Sequence, residues 1–387
     1  MTIEVDYRFP AGIDAVKQAK IIAVGQTAGT WSERFAAREE SLRSHLAEVI
    51  NIRTESTGES VATVSFPESN VENDIPSLLT MIFGKYSMGG IAKVVAIRLP
   101  KSYGILTKLG ISGIRDRLEV FDRPLVMAIF KPALGLTAND HAEILAEVAI
   151  AGLDIIKDDE IMADLASAPT FARLRACREI IAKVKQETGR TVLYAVNVTG
   201  NATKIVEKAR MLVKEGANAL LLNVLAYGFS ALEAIASDPE INVPIFAHPA
   251  LAGALCISPD CGMAYSVVLG TLMAHAGADA VLYPAHYGNL PFNAIEEGKI
   301  RDNLRDRGVF PVPSAGIHPG IVNKVLADYG QDVILNAGTG IMDHPDGPGA
   351  GVKAFFEALE RVKKGESLTL ENIPESPLRR AIEKWGV

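Results

Sequence analysis

The chain has 387 residues, 48% hydrophobic and 22% charged, with a formal net charge of −7. That composition is enough to bury one large core plus a smaller one and excludes a disordered chain, and the acidic balance leaves no basic stripe for a nucleic-acid backbone. Three cysteines, Cys177, Cys256 and Cys261, are too few and too unevenly placed for a disulfide framework or a paired zinc knuckle, and no basic-then-apolar leader opens the chain, so a reducing, cytoplasmic setting is expected.

In chain order, strands are expected at Ile3–Phe9, Val61–Phe66 and Ala92–Leu99, with helical segments at Ile13–Val24, Ala36–His45 and Ile75–Gly84. Residues 1–120 therefore read as a small N-terminal α+β (ferredoxin-like) domain. The Pro- and Gly-containing stretch around Ile111–Pro124 reads as the linker to a second domain over 121–387. There, eight short apolar segments alternate with amphipathic ones: Leu125–Lys131, Leu153–Lys157, Val192–Val198, Ala219–Val224, Val243–Ala247, Ala280–Tyr283, Val309–Val312 and Val333–Asn336. Eight βα units predict an α/β fold of the TIM (β/α)8 barrel type. The most membrane-like stretch, Ala264 to Ala285, is interrupted by His275, Gly277 and Asp279 and reads as a buried helix followed by a strand, so no membrane partner is expected.

In such a barrel the residues just past each strand gather at one mouth, so Lys131, Lys157, Asp159, Glu160, Asn197, Asn223, His248, Ser314 and Gly338 should converge from distant parts of the chain. A lysine flanked by acids at a strand end can belong to a solvated loop, but at a barrel mouth Lys157, Asp159 and Glu160 can hold a hard cation. His248 taken singly is most simply a hydrogen-bonded core histidine; the same position tips it towards function. The last two strands run into Ser314-Ala315-Gly316-Ile317-His318 and Asn336-Ala337-Gly338-Thr339-Gly340, where small residues let backbone N–H groups approach an anion.

The runs Phe130-Lys131-Pro132-Ala133-Leu134-Gly135-Leu136-Thr137 and Gly152 through Glu160 resemble the paired signatures of ribulose-bisphosphate carboxylase (RuBisCO) large chains. The resemblance continues through Gly29-Thr30-Trp31, Ser314 to His318 and Gly340-Ile341-Met342-Asp343-His344-Pro345, covering essentially the whole chain. It implies that CO₂ carbamylates Lys157, which then binds Mg²⁺ with Asp159 and Glu160. It also implies a homodimer with shared active sites, in which Thr30, Trp31 and Lys85 of one subunit act at the other's barrel. A phosphate group would sit on Ser314, Ala315, Gly316, Gly338 and Thr339, with Asn197 beside the substrate.

Carboxylases have a loop-six lysine where this chain has Asn289, a glutamate at Gly25, a second lysine at Ala133, an arginine at Pro249, a histidine at Leu282 and a glycine at Thr339. The lost arginine and histidine belong to the site for a second phosphate, so a monophosphate substrate without CO₂ fixation is expected. Asp74 to Leu79, Phe83-Gly84-Lys85, Leu193 to Gly200, Ala247 to Ala250 and Pro313 to Gly320 are most similar to RuBisCO-like proteins of the methionine-salvage type. That resemblance implies a Mg²⁺-dependent enolase or isomerase of a phosphorylated ketose, with Lys85 as proton-abstracting base, Lys131 polarising or reprotonating, and His248 catalytic. A decarboxylase of a 3-oxo sugar-acid phosphate and a non-catalytic binding or regulatory protein are the alternatives.

Overall fold

A computed structural model describes residues 2–30 and 33–387. In the first strand, β1 (Thr2–Phe9), Ile3, Val5, Tyr7 and Phe9 are completely buried, the period of two that one packed sheet face requires. It lies between β3 (Ser60–Pro67) and β4 (Lys93–Arg98), antiparallel to both, and β2 (Glu48–Thr54) adds to the outside of β3. The order β4-β1-β3-β2, with helix Ala15–Gly25 after β1 and helix Ile75–Phe83 after β3, is the ferredoxin-like arrangement. β2 was not legible in the sequence because as an edge strand it buries no residue completely and so lacks a clean apolar face. The helix expected at Ala36–His45 is instead a 3₁₀ segment, Glu33–Arg38, followed by a short helix, Glu39–Ser44, neither with a buried residue.

The segment expected to be a linker contains helix Gly110–Leu118. The Asp279 carboxylate accepts the N–H groups of Leu109 and Gly110 at 2.8 and 2.9 Å, and Ile114 and Leu118 pack beneath Leu125, Met127 and Phe310, closing the floor of the barrel. A boundary at residue 120 would separate this helix from the core it covers.

The eight barrel strands are β5 (Leu125–Ile129), β6 (Ile155–Lys157), β7 (Leu193–Asn197), β8 (Ala219–Leu222), β9 (Ile245–Ala247), β11 (Ala280–Pro284), β12 (Phe310–Ser314) and β13 (Ile334–Ala337). All are parallel in the order β12-β11-β9-β8-β7-β6-β5-β13, an eight-stranded near-barrel with a helix after each strand. Backbone ladders join neighbours all round except between β12 and β13, where the Asn336 amide donates to the Ser314 hydroxyl at 2.8 Å. Leu125, Met127, Ile155, Leu193, Phe246 and Phe310 fill the interior, whereas the intervening Val126, Ala128, Ile156, Tyr194 and Val196 pack against the helices.

A two-residue strand, β10 (Gly262–Met263), leaves the barrel to pair with β4, and the buried Lys93 ammonium donates to the carbonyls of Cys256 and Ser258 at 2.7 and 2.5 Å. Helix Ile75–Phe83, capped by Asp74, is tied to the barrel where Ile75 N–H meets the Glu233 carboxylate at 2.7 Å. Ser266–Leu272 forms a π-helix that runs into Met273–His275 and then β11, and among the described residues no helix is long and apolar enough to cross a membrane.

Candidate active site

β6 carries Ile155 inward and Ile156 outward, so its last residue, Lys157, faces the mouth of the barrel. Lys157 is completely buried; its Nζ donates to the Asp158 carbonyl at 3.0 Å and lies 3.8 Å from Glu160 Oε2. Burial holds its pKa below the usual lysine value despite the nearby acids.

The next residue turns away. Asp158 accepts from Arg173 at 2.9 Å, from the Tyr194 hydroxyl at 2.6 Å and from Asn197 N–H at 2.9 Å, all in the space behind the mouth. Asp159 and Glu160 remain. Asp159 Oδ2 pairs with Lys131 Nζ at 2.5 Å and Oδ1 accepts Ile161 N–H at 3.2 Å; burial pushes this carboxyl up, but those hydrogen bonds and the Lys157 charge outweigh it and hold it below its ordinary value. Glu160 Oε2 lies 3.4 Å from His248 Nε2. His248 Nδ1 accepts Ala250 N–H at 3.2 Å, which leaves the proton on Nε2, the ring nitrogen nearer Glu160. Burial and then the Lys157 charge lower the His248 pKa to about 3, so the ring is neutral.

Asn197 and Asn223 brace this turn. Asn197 Nδ2 donates to the carbonyls of Glu160 and Met162, both at 3.1 Å, and Asn223 Nδ2 donates to Glu160 O at 3.0 Å, while both Oδ1 atoms are buried without a partner. Among the described residues no three His, Cys, Asp or Glu side chains are grouped to hold a metal, so the mouth offers two carboxylates beside one buried amine.

Across the mouth is a cavity of about 390 Å³. Its walls are Gly288 and Asn289 after β11, Gly316 to His318 after β12, Gly338 to Gly340 after β13, and the side chains of Tyr287 and Trp385. Ser314 and Ala315 shape this loop from below: the Ser314 hydroxyl donates to Val312 O at 3.1 Å, and Ala315 sits in the left-handed region with φ of 66°. A methyl group built on Gly338 would lie 3.9 Å from Lys131 Cε, so the glycine loop and the charged cluster meet at Lys131.

Sequence-expected residues from seven of the eight strand ends thus come together, but those of the N-terminal domain do not join them within one chain. Thr30 is exposed, and Lys85 is exposed at the start of the 3₁₀ turn Tyr86–Gly89, with no hydrogen bond or ion pair to a mouth residue among the described residues. Trp31 lies outside the described residues. Trp385 lines the cavity without having been singled out, because no local motif marks the end of an amphipathic terminal helix as part of a distant site, while His318 lines it as the end of the loop motif after β12.

A ferredoxin-like domain followed by a barrel with a lysine–carboxylate cluster facing two glycine loops defines the class. The model for the N-terminal domain of the ribulose bisphosphate carboxylase large chain matches residues 4–103 and that for its catalytic domain matches residues 110–385, and the chain belongs to this family. Within it, the chain is 70% identical over 386 residues to a 2,3-diketo-5-methylthiopentyl-1-phosphate enolase of Microcystis aeruginosa, covering 100% of both, and 42% identical to the enolase of that name from Bacillus licheniformis, covering 97% of this chain and 95% of that one. Among solved structures, a rubisco-like protein from Alicyclobacillus acidocaldarius superposes with a TM-score of 0.92 at 40% identity over 100% of both chains. The octameric RuBisCO of Pyrococcus horikoshii superposes at 0.90 with 27% identity, covering 100% of this chain and 93% of that one.

Proposed function

We propose that the protein is a RuBisCO-like enzyme of methionine salvage that enolises 2,3-diketo-5-methylthiopentyl-1-phosphate and does not fix CO₂. The observation that carries the reaction class is the Lys131–Asp159–Lys157–Glu160–His248 cluster abutting a glycine-lined cavity; the enolase names of the full-length relatives narrow the substrate.

The donor set suits a hard cation once Lys157 is modified. Burial favours the free amine of Lys157, and such an amine adds to CO₂ with loss of one proton to give an anionic carbamate. With Asp159 and Glu160 it makes three anionic ligands, the chemistry Mg²⁺ prefers. When bound there, Mg²⁺ polarises the substrate carbonyl and so favours loss of the adjacent proton.

The chain's own groups do the rest. Backbone N–H groups of Gly316, Gly338 and Thr339, on loops shaped by Ser314 and Ala315, bind the phosphate, and Thr30 and Trp31 of the partner subunit cover it. Lys85 of the partner subunit takes the proton from the carbon next to the carbonyl. Lys131, poised between Asp159 and the glycine loop, donates a proton to the resulting enolate oxygen. His248, neutral, lies beside Glu160, and Asn197 keeps the Glu160 turn in place beside the substrate. The working unit is a homodimer, as in the dimeric RuBisCO of Hyperthermus butylicus, and its three free thiols suit the cytoplasm.

Enolisation of the diketone phosphate with Mg²⁺ and bicarbonate, followed by ultraviolet absorbance and by deuterium uptake from solvent, is the test. Lys85→Ala should lower kcat by about 10³-fold with Mg²⁺ binding unchanged. Near-normal turnover in that variant would remove Lys85 from the mechanism. CO₂ release from a 3-oxo sugar-acid phosphate with no exchange in the diketone would replace enolisation by decarboxylation.

A further inference from the structure

The glycine loops form only part of the cavity wall; the rest includes the last helix, Pro377–Trp385. Leu378, Ala381 and Ile382 of that helix are buried, and Trp385 continues the stripe by one further turn. Trp385 packs partly buried against the core and also lines the cavity that Gly288 and Asn289 line. It is fixed there from two sides. Lys384 Nζ pairs with Asp343 Oδ2 at 2.7 Å, just past the Gly338–Gly340 loop. A methyl group on Gly320 would lie 1.9 Å from Gly386 O, so the residue after the tryptophan lies directly against the loop that follows β12.

Two imidazoles and an ammonium surround the ring. Ring centroids of His318 and His344 lie 6.2 and 6.3 Å from that of Trp385, and Lys384 Nζ lies 5.2 Å over its face. His318 Nδ1, in the same wall, is buried without a partner, whereas the indole Nε1–H, which no described residue accepts, is not buried. Trp385 is thus an unspent donor on a rigid wall, beside the backbone N–H groups of two glycine loops.

We infer that Trp385 is a substrate-binding residue, the outer wall and a hydrogen-bond donor of the phosphate subsite, which couples the C-terminal helix to substrate affinity. It rests on the proposed phosphorylated substrate but not on the reaction that substrate undergoes. Inorganic phosphate is therefore the probe. Titration calorimetry of the full chain should give a dissociation constant that rises about tenfold in Trp385→Ala and several-fold in Trp385→Phe, which keeps the ring and loses the donor. In turnover, KM should rise by similar factors while kcat stays within about twofold, a split that a loss of folding would not produce.

The chain has two tryptophans, so Trp31→Phe leaves Trp385 as the sole indole emitter. Its emission should change saturably with phosphate, at the dissociation constant that calorimetry gives for the same variant. Unchanged phosphate affinity in both Trp385 variants, a flat emission titration, or no phosphate binding by the unaltered protein would each overturn the inference. Trp385-dependent phosphate binding by a protein inert towards the diketone would instead refute the enolase assignment and leave Trp385 in place.

Discussion

Three consecutive acids follow Lys157, and their division of labour depends on what each faces. Asp158 and Arg173 form an ion pair with both side chains fully buried, so removing one charge strands the other in a dry interior. Asp158→Asn should destabilise the fold by about 3 kcal/mol in denaturant titration. Because Asp158 also holds Asn197 N–H, that variant should weaken Mg²⁺ binding indirectly. Lys157→Ala should do so directly, abolishing Mg²⁺ uptake by calorimetry and lowering turnover by about 10³-fold or more, without the loss of stability. The run Lys-Asp-Asp-Glu and its place at a strand end were legible in the sequence. Asp158's assignment to the scaffold was not a matter of local pattern, since Arg173 and Tyr194 come from other elements. His248's protonation was also hidden, because its tautomer depends on Ala250 N–H and its low pKa on burial.

At the scale of elements, the eight barrel strands were readable because each is a short apolar run between amphipathic helices, and the observed ends fall within about two residues of those expected. Two of the departures share one cause. β2 and helix Gly110–Leu118 take their structure from tertiary partners, the edge of β3 and the barrel floor, and offer little periodicity of their own. Helix Ile75–Phe83 is held through Ile75 N–H by Glu233, whose pKa is raised to about 7 by burial, with Asp74 adding to the rise. A carboxyl raised above its unfolded value binds more protons in the native state, so its contribution to stability falls as pH climbs from about 4.5 to about 7 and is constant above that. Glu233→Gln should flatten the dependence of Tm on pH in that window, measured by calorimetry. Loop six makes a steric counterpart: a methyl group on Gly288 would lie 1.8 Å from Ala315 O, so Gly288→Ala must move the loop. KM should rise about tenfold while Mg²⁺ affinity, set on the other side of Lys131, stays unchanged.

For the whole molecule, the separation of Lys85 from Lys157 within one chain has a direct consequence if sites are shared. Lys85→Ala and Lys157→Ala are each expected to be inactive, yet a re-associated equal mixture should regain about one-quarter of the unaltered protein's activity, since half of the dimers then carry one intact site of two. No recovery after verified subunit exchange would mean that each chain works alone. The ring itself has a matching asymmetry. Its backbone hydrogen bonding is interrupted once, between β12 and β13, where Asn336 and Ser314 make the join by side chains. Two of the loops that line the cavity spring from those two strands, so the barrel is sewn most loosely where a ligand there would grip. A bound anion spanning both loops would act as the missing stitch, and the cylinder would be complete only when loaded.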